Sequence, residues 1–296
     1  MYTKFFGSFL LNRGIITSEQ LIEVLKLQST SHIKLGALAM HAGLMTGSEV
    51  EEVFIMQTHK DKRFGELAVS EGYLTQDQVN KLLSMQTPDF LLIGQNLVEQ
   101  NIITSAQLQN LITDYQSEYE IVDLDLLDEQ KETIHDLIQN FYLFEDILSA
   151  EYVTQYINLL FTNLTRFIGT DFTPLNLIQV PECPTDICVI QKIKGDFNIL
   201  TAIELEKEPA LSFTSRYLKE EENSLKAEEL TEESLADYLN LLNGLFSVNM
   251  SNDRTLDLNL DPPEVLDDSM LSTGKTCYMI PIVYSFGTVH FILSIL

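Results

Sequence analysis

The chain has 296 residues, about twice the usual length of one domain, so two domains are the first expectation. Hydrophobic residues make up 45% of the chain, which is enough for buried cores and excludes wholesale disorder. The net charge is −26, from 44 acidic and 18 basic side chains, and such a charge repels nucleic acids and anionic lipids. Nucleic-acid binding is therefore excluded as a main role.

Neither end of the chain predicts a targeting or membrane segment. Residues 1–14 contain a short apolar run, but no small-residue cleavage site follows it. Residues 277–296 are the most apolar stretch, and Pro281, Gly287 and His290 interrupt it, which is typical of a buried hairpin rather than a membrane helix. Three scattered cysteines favour reduced thiols, and the five histidines show no ligand spacing. We therefore predict a cytoplasmic protein with no membrane insertion and no metal site.

The first 116 residues contain four copies of a 29-residue repeat. Glycines recur at this interval, at Gly7, Gly36, Gly65 and Gly94. Seven residues after each glycine comes a residue suited to a left-handed backbone, namely Gly14, Gly43, Gly72 and Asn101. Three residues later comes a threonine, in the four copies Thr17, Thr46, Thr75 and Thr104.

Each copy predicts a helical hairpin. A short apolar helix ends at the Gly or Asn, and the Thr begins a second helix with a capping box, in which the Thr and a Gln or Glu three residues later satisfy each other's backbone donors. The boxes are Thr17 with Gln20, Thr46 with Glu49, Thr75 with Gln78 and Thr104 with Gln107. Apolar residues four apart predict the buried stripe of each second helix, namely Leu21 and Leu25, Val50 and Phe54, Val79 and Leu83, Leu108 and Ile112. Because one hairpin cannot bury its stripe alone, residues 1–116 are predicted to be an all-α domain of packed copies.

The repeat resembles the N-terminal module of type II secretion and type IV pilus assembly ATPases, of the MshE type. In that family some tandem copies bind cyclic di-GMP, and the Arg that opens each copy contacts the nucleotide. The resemblance therefore implies Arg63 and, in part, Lys34 as nucleotide-binding residues, although an ammonium cannot make the planar two-point contact of a guanidinium. Copies one and four lack a basic residue at this position. The alternative is a docking module on which Lys34 and Arg63 are ordinary surface cations.

Residues 117–146 are strongly acidic, and the helical spacing of their apolar residues predicts a connecting helix. Beyond them, residues 147–296 predict two long helices, a hairpin within 186–206, and a second hairpin at 278–296. In the first hairpin, alternation places Ile203 on the apolar face and Glu204 on the polar face. This segment is predicted to be an α+β domain with a largely antiparallel sheet and two long helices, so the chain as a whole is α+β.

The two long helices share a short sequence pattern at a separation of 82 residues, in the segments 155–162 and 237–244. The second segment carries Asp237, Asn240 and Gly244 at positions i, i+3 and i+7, which lie on one helical face. The first carries Gln155 and Asn158 at the corresponding positions. An internal duplication with an approximate two-fold axis would produce this pattern.

The second segment resembles the Glu-x-x-Asn-x-x-x-Gly signature of the CheC/CheX/FliY phosphatases of bacterial chemotaxis, most closely CheX. The resemblance implies that this helix docks on a phosphorylated response regulator of the CheY type and that Asn240 orients a water for attack on the aspartyl phosphate. It also implies that Asp237 pairs with a Lys of the receiver, that Gly244 permits its close approach, and that the receiver supplies Mg²⁺, so this chain needs no cofactor of its own. Asp237 is one methylene shorter than the family's Glu, and Gln155 with Asn158 corresponds to a degenerate second site.

The sequence leaves three functional hypotheses open. The first is a two-component signalling protein with an aspartyl-phosphate phosphatase activity. The second is a non-catalytic adaptor that binds a receiver or a pilus or secretion component through the same surfaces. The third is a cyclic di-GMP-responsive regulator in which the N-terminal repeats control the C-terminal domain. A homodimer is compatible with each of them.

Overall fold

The computed structural model describes residues 2–28, 32–84, 90–118, 138, 142, 147–180, 183–184, 186–221, 224–267, 270–271 and 277–296. The chain divides into two compact units, Tyr2–Leu126 and Leu127–Leu296. The fold is α+β, as predicted, with helices in the N-terminal part and the antiparallel sheet in the C-terminal part. The predicted connecting helix within residues 117–146 lies almost entirely outside the described residues.

The described part of the N-terminal unit is helical. After a 3₁₀ turn at Tyr2–Phe5, its helices are α1 (Phe6–Asn12), α2 (Ser18–Gln28), α3 (Leu35–His41), α4 (Gly47–His59), α5 (Phe64–Ser70), α6 (Gln76–Ser84), α7 (Phe90–Glu99) and α8 (Ser105–Glu118). Each copy of the repeat therefore contains the predicted pair of helices.

The local signals of the repeat have the predicted structural roles. The residues between the paired helices adopt positive φ angles: 65° at Gly14, 64° at Gly43, 85° at Gly72 and 57° at Asn101. All four capping boxes form: in copy two, for example, Glu49 N–H donates to Thr46 Oγ1 at 3.3 Å and Thr46 N–H donates to Glu49 Oε2 at 2.6 Å.

The glycine at the start of the repeat lets the two helices of a hairpin approach closely. A Cβ at Gly36 would lie 2.8 Å from Cγ1 of Val50, and one at Gly94 would lie 2.5 Å from Cδ1 of Leu108. Since van der Waals contact needs about 3.5 Å or more, a larger residue at either position would push the helices apart. In copies two and four, close packing of the paired helices thus accounts for the glycine.

The copies do not pack in their order along the chain. Copy four contacts copy one, through α7 with α1 and α2, and also copy two, through α8 with α4; copy two in turn contacts copy three through α3 with α6. A cluster of buried rings joins the first and last copies, with Phe6 5.2 Å from both Phe90 and Tyr115 between ring centroids.

The predicted apolar stripe is wrong at two positions. Phe54 and Leu83 are 54% and 68% exposed, whereas the residues just before them, Val53 and Leu82, are buried. With 3.6 residues per turn, positions i+3 and i+4 flank the same helical face. In α4 and α6 the packing selects the i+3 residue.

The C-terminal unit contains long helices and an antiparallel sheet. Its helices are α9 (Ile147–Phe167), α10 (Lys207–Leu218), α11 (Leu225–Glu229) and α12 (Thr231–Arg254). Its strands are β1 (Phe172–Pro174), β2 (Ile178–Val180), β3 (Cys183–Pro184), β4 (Ile187–Gly195), β5 (Ile199–Leu205), β6 (Leu258–Leu260), β7 (Glu264–Asp267), β8 (Met270–Leu271), β9 (Cys277–Tyr284) and β10 (Gly287–Ile295). Both predicted hairpins form, as β4–β5 and β9–β10. The sequence did not predict α10, because Thr214 and Ser215 occupy its buried side and hide the apolar period.

The sheet repeats one arrangement twice. Its order is β1-β9-β10-β5-β4-β6, with β2 also on β9 and β7 also on β4. The elements α9 and β1–β5 have counterparts, in chain order, in α12 and β6–β10. When each strand is replaced by its counterpart, the same pairs of strands remain neighbours, and β3 and β8, which are each other's counterparts, also pair with each other. The topology agrees with an internal duplication and a two-fold axis between β5 and β10.

Both faces of the central strands are covered. Every residue of β5 is buried, including Glu204 on the face predicted to be polar, so that prediction is wrong. The second face holds an apolar cluster that includes Cys188, Ile190 and Cys277, while Glu204 pairs with Nδ1 of His290 at 2.6 Å. A buried carboxylate requires such a partner.

Within the described ranges, no helix is both long and apolar enough to cross a membrane.

Candidate functional site

One face of α12 carries the residues that the sequence singled out. Asp237 and Asn240 are exposed and Gly244 is half-buried, one and two turns apart along the same side of the helix. The opposite side anchors α12 in the core. Tyr238 meets Phe213 of α10 edge-on at 5.1 Å between ring centroids, and Phe246 meets Tyr156 of α9 at 5.2 Å.

The side chain of Asn240 is tied to the sheet below it. Nε2 of Gln191, on β4, donates to Oδ1 of Asn240 at 2.8 Å and to the backbone carbonyl of Asp261 at 2.8 Å. Asp261 is held in turn by β4, because its N–H donates to the carbonyl of Lys192 and its carboxylate pairs with Lys194 at 2.6 Å.

A second buried amide continues this network into the core. Asn243, fully buried on α12, donates through Nδ2 to Oε1 of Gln191 and to Oγ1 of Thr201, both at 2.8 Å. Its Oδ1 accepts a hydrogen bond of 2.7 Å from the hydroxyl of Tyr156. Burying an amide in a hydrophobic core is costly unless all of its groups are paired, and here both ends of the amide are.

Asp237 lies at the side of α12 that faces α10. Burial raises the pKa of Tyr217, on α10, and the negative charge of Asp237 raises it further. Arg216 of α10 and Lys226 of α11 pair with Asp171 and Glu220, and within the described residues the Asp237 carboxylate forms no ion pair.

Among the described residues, no packing contact requires glycine at position 244. A Cβ at this position would meet Cδ1 of Leu260 at 4.0 Å, which is ordinary contact, and the backbone there is regular helix. Glycine in a helix interior costs about 1 kcal/mol relative to alanine. This face of α12 therefore carries a residue of low helix propensity that no contact of the described residues explains.

The corresponding site on α9 is different. Gln155 and Asn158 are half-buried, and the Asn158 carbonyl accepts a hydrogen bond from the Thr162 hydroxyl at 2.9 Å. The residue 82 positions before Asn243 is Phe161, which is fully buried. The first helix thus has a hydrophobic ring where the second has the buried amide.

The two nucleotide-binding candidates lie in the N-terminal unit, each directly before a short helix. Nζ of Lys34 pairs with Oε1 of Glu99 at 2.8 Å, and Arg63 is exposed, with its backbone N–H bonded to Glu66. An exposed pair of this kind contributes little to stability, but it does place a carboxylate beside the Lys34 ammonium.

Sequence reasoning missed Gln191 and Asn243. Asn243 gave one available signal, a polar residue within the apolar helical series Leu239, Leu242 and Phe246. Gln191 stands in a strand buried on both sides and gave none, because its partner is 49 residues away.

No protein-family model matches the sequence, and the search of curated proteins gives no match. Among solved structures, the chain is similar to a chemotaxis protein CheX from Desulfovibrio desulfuricans, with a TM-score of 0.42 and 15% identity over 49% of this chain and 99% of that one. A CheX–CheY–BeF3–Mg²⁺ complex from Borrelia burgdorferi matches with a TM-score of 0.38 and 17% identity over 49% and 97% of the two chains. FliY from Thermotoga maritima matches with a TM-score of 0.35 and 14% identity over 58% of this chain and 92% of that one. The chain is thus similar, over about half of its length, to chemotaxis proteins of the CheX, CheC and FliY type.

Proposed function

We propose that the C-terminal unit binds a phosphorylated CheY-type response regulator through α12 and accelerates hydrolysis of its aspartyl phosphate. The observation that carries this proposal is the carboxamide of Asn240, which is exposed on the helix face yet held from below by Gln191. An exposed amide that is free to rotate would have to be ordered in the transition state, and here that ordering is present before the partner arrives.

The reaction needs no nucleophile from this chain. Water attacks phosphorus in line, the bond between phosphorus and the receiver's aspartyl oxygen breaks, and the products are the free carboxylate and inorganic phosphate. Asn240 orients the water by hydrogen bonding, and Asp237 pairs with a cation of the receiver. The Mg²⁺ that neutralises charge on the phosphoryl group belongs to the receiver.

The surface around these residues suits a protein partner. Val248, one turn beyond Gly244 on the same face, is 57% exposed, and Leu245 beside it is also exposed. The face therefore combines a polar end, where the chemistry takes place, with an apolar end that gains from burial.

The test is the decay of phosphorylated receivers from the same organism, with and without this protein. Each receiver is phosphorylated with a small acyl phosphate, the donor is removed, and the remaining phosphoprotein is followed in time. We expect the decay of at least one receiver to accelerate in proportion to the concentration of the protein. If no receiver decays faster, the phosphatase proposal is wrong, and binding without acceleration would favour the adaptor.

Gly244 gives a prediction that separates docking from folding. Gly244→Ala is expected to raise the free energy of unfolding by about 0.5–1 kcal/mol, because alanine is the better helix former and the space is open. Gly244→Leu is expected to weaken receiver binding about tenfold or more, since a loss of about 1.4 kcal/mol in binding free energy corresponds to a tenfold higher dissociation constant. Urea unfolding and a binding titration measure the two effects.

The matched control for docking is Thr162→Leu, the corresponding exposed position on α9. It introduces the same side chain on the helix that lacks the acid, so receiver binding should be unchanged. Equal losses in Gly244→Leu and Thr162→Leu would contradict a docking role for the α12 face.

We propose that the repeats are a docking module of the kind found at the N-terminus of the secretion and pilus ATPases. We also propose that the protein is cytoplasmic. A regulator that responds to cyclic di-GMP is the alternative. The ion pair of Lys34 with Glu99 favours the docking role, because a dianionic ligand would have to displace the carboxylate.

We accordingly expect no tight binding of cyclic di-GMP. Titration calorimetry should give a dissociation constant above about 1 µM, since one Arg and one paired Lys supply too little converging positive charge in a chain of net charge −26. Arg63→Ala is the control. A submicromolar constant that disappears in Arg63→Ala would overturn this prediction and favour the nucleotide-responsive regulator.

A further inference from the structure

The hydrogen bonds beneath Asn240 have a defined direction. A backbone carbonyl can only accept, so the Gln191 atom that faces the carbonyl of Asp261 is Nε2. The other N–H of this nitrogen reaches Asn240, and the Asn240 atom that receives it is therefore Oδ1. It follows that the oxygen of the Asn240 amide faces the sheet. Its Nδ2 has no hydrogen-bond partner among the described residues.

The opposite end of Gln191 strengthens this assignment. Oε1 of Gln191 can only accept, so Asn243 must present Nδ2 to it, and Oδ1 of Asn243 then accepts from Tyr156. The Thr201 hydroxyl, which receives the second N–H of Asn243, donates to the backbone carbonyl of Gln191. Turning the side-chain amide of Gln191 or Asn243 by 180° would place donors opposite donors and acceptors opposite acceptors. In a buried site each unpaired group has a large cost in free energy.

The polar network lies beneath the helix that carries the acid. In the duplicated half, Phe161 takes the place of Asn243, and the corresponding surface pair, Gln155 and Asn158, lacks a carboxylate. A hydrophobic residue is thus acceptable at this position of the fold. On α12 the position instead holds an amide whose hydrogen bonds fix Gln191, the residue that donates to Asn240.

The geometry points to Gln191 as a positioning residue for Asn240. By donating to Oδ1 it holds the carboxamide in one orientation, with the two N–H donors of Nδ2 turned away from the sheet towards the bound phosphoryl group and its water. Asn243 holds Gln191 in the orientation that makes this donation possible. This inference rests on the proposed function for its catalytic consequence, while the orientation of Asn240 is testable without any activity.

The experiment uses Gln191→Met in the full chain, which keeps the length of the side chain and removes its donors and acceptor. We expect kcat for receiver dephosphorylation to fall about tenfold or more, with KM for the phosphorylated receiver unchanged, because the docking face keeps its residues but Asn240 is no longer held. Ile190→Ala is the control for loss of packing, since Ile190 immediately precedes Gln191 in β4 and lies in the apolar cluster on the other face. It should leave kcat unchanged.

A second measurement follows the side-chain amide of Asn240 by ¹⁵N relaxation. In the wild type we expect an ordered Asn240 amide, and in Gln191→Met a mobile one, while in Ile190→Ala it remains ordered. An Asn240 amide that is equally ordered in Gln191→Met and the wild type overturns the inference, as does equal loss of kcat in Gln191→Met and Ile190→Ala. If no receiver is dephosphorylated by the wild type, the proposed function fails, and the relaxation data alone decide whether Gln191 positions Asn240.

Discussion

Asn240→Ala is expected to abolish the acceleration of receiver dephosphorylation, reducing it by about a hundredfold or to the spontaneous rate. The substitution removes the amide that orients water but leaves the docking face of α12 in place, so binding of the phosphorylated receiver should change little. Because Asn240 is exposed and bonded only to Gln191 among the described residues, the fold should persist, with at most about 1 kcal/mol lost. Single-turnover decay of the phosphoreceiver measures the rate, and a binding titration measures the affinity.

The matched control is Asn158→Ala, which makes the same change at the corresponding position of α9. The degenerate surface has Gln155 where α12 has Asp237, so loss of the Asn158 amide should leave the rate of dephosphorylation unchanged. If Asn240→Ala hydrolyses the phosphoreceiver as fast as the wild type, the catalytic role of this residue is wrong and the adaptor becomes the better hypothesis. If Asn158→Ala is the variant that loses activity, the active face is α9.

The second large effect concerns stability. Asn243→Ala is expected to lower the free energy of unfolding by about 3 kcal/mol or more, because it leaves polar atoms of Gln191, Thr201 and Tyr156 buried without this partner and opens a cavity. Urea unfolding monitored by circular dichroism measures the change, provided that the transition of the C-terminal unit is resolved from that of the repeats.

Asn163→Ala is the control for losing a buried asparagine from a long helix. Asn163 is also buried, but its amide donates to the Leu159 carbonyl within α9, so its loss should cost about 1 kcal/mol. Equal destabilisation by the two variants would contradict the view that Asn243 stabilises the core through a network joining α9, β4, β5 and α12.

The elements that the sequence predicted correctly depend on local chemistry. A left-handed residue, a threonine cap and its acceptor three residues later act within a few residues of each other, so the hairpins of the repeat can be recognised from their spacing alone. The same is true of Asp237, Asn240 and Gly244, because helical periodicity places them on one face wherever the helix packs. The hairpins β4–β5 and β9–β10 are likewise local.

The errors and omissions arise where distant segments compete for the same surface. Whether Val53 or Phe54 is buried depends on the neighbouring helices, which the repeat itself does not specify. Glu204 is buried because the second face of the sheet is also covered, and the alternation of one strand cannot reveal that.

The sequence alone therefore determined the α+β class, the turn and capping residues of the N-terminal hairpins, and the face of α12 that bears the acid, amide and glycine. The tertiary structure alone decided that copy four packs against copies one and two and that Gln191 lies beneath Asn240 with Asn243 behind it. The physical reason is that capping and periodicity involve neighbours in the chain, whereas a buried hydrogen-bond network joins residues up to 87 positions apart and exists only once the sheet and helices have packed.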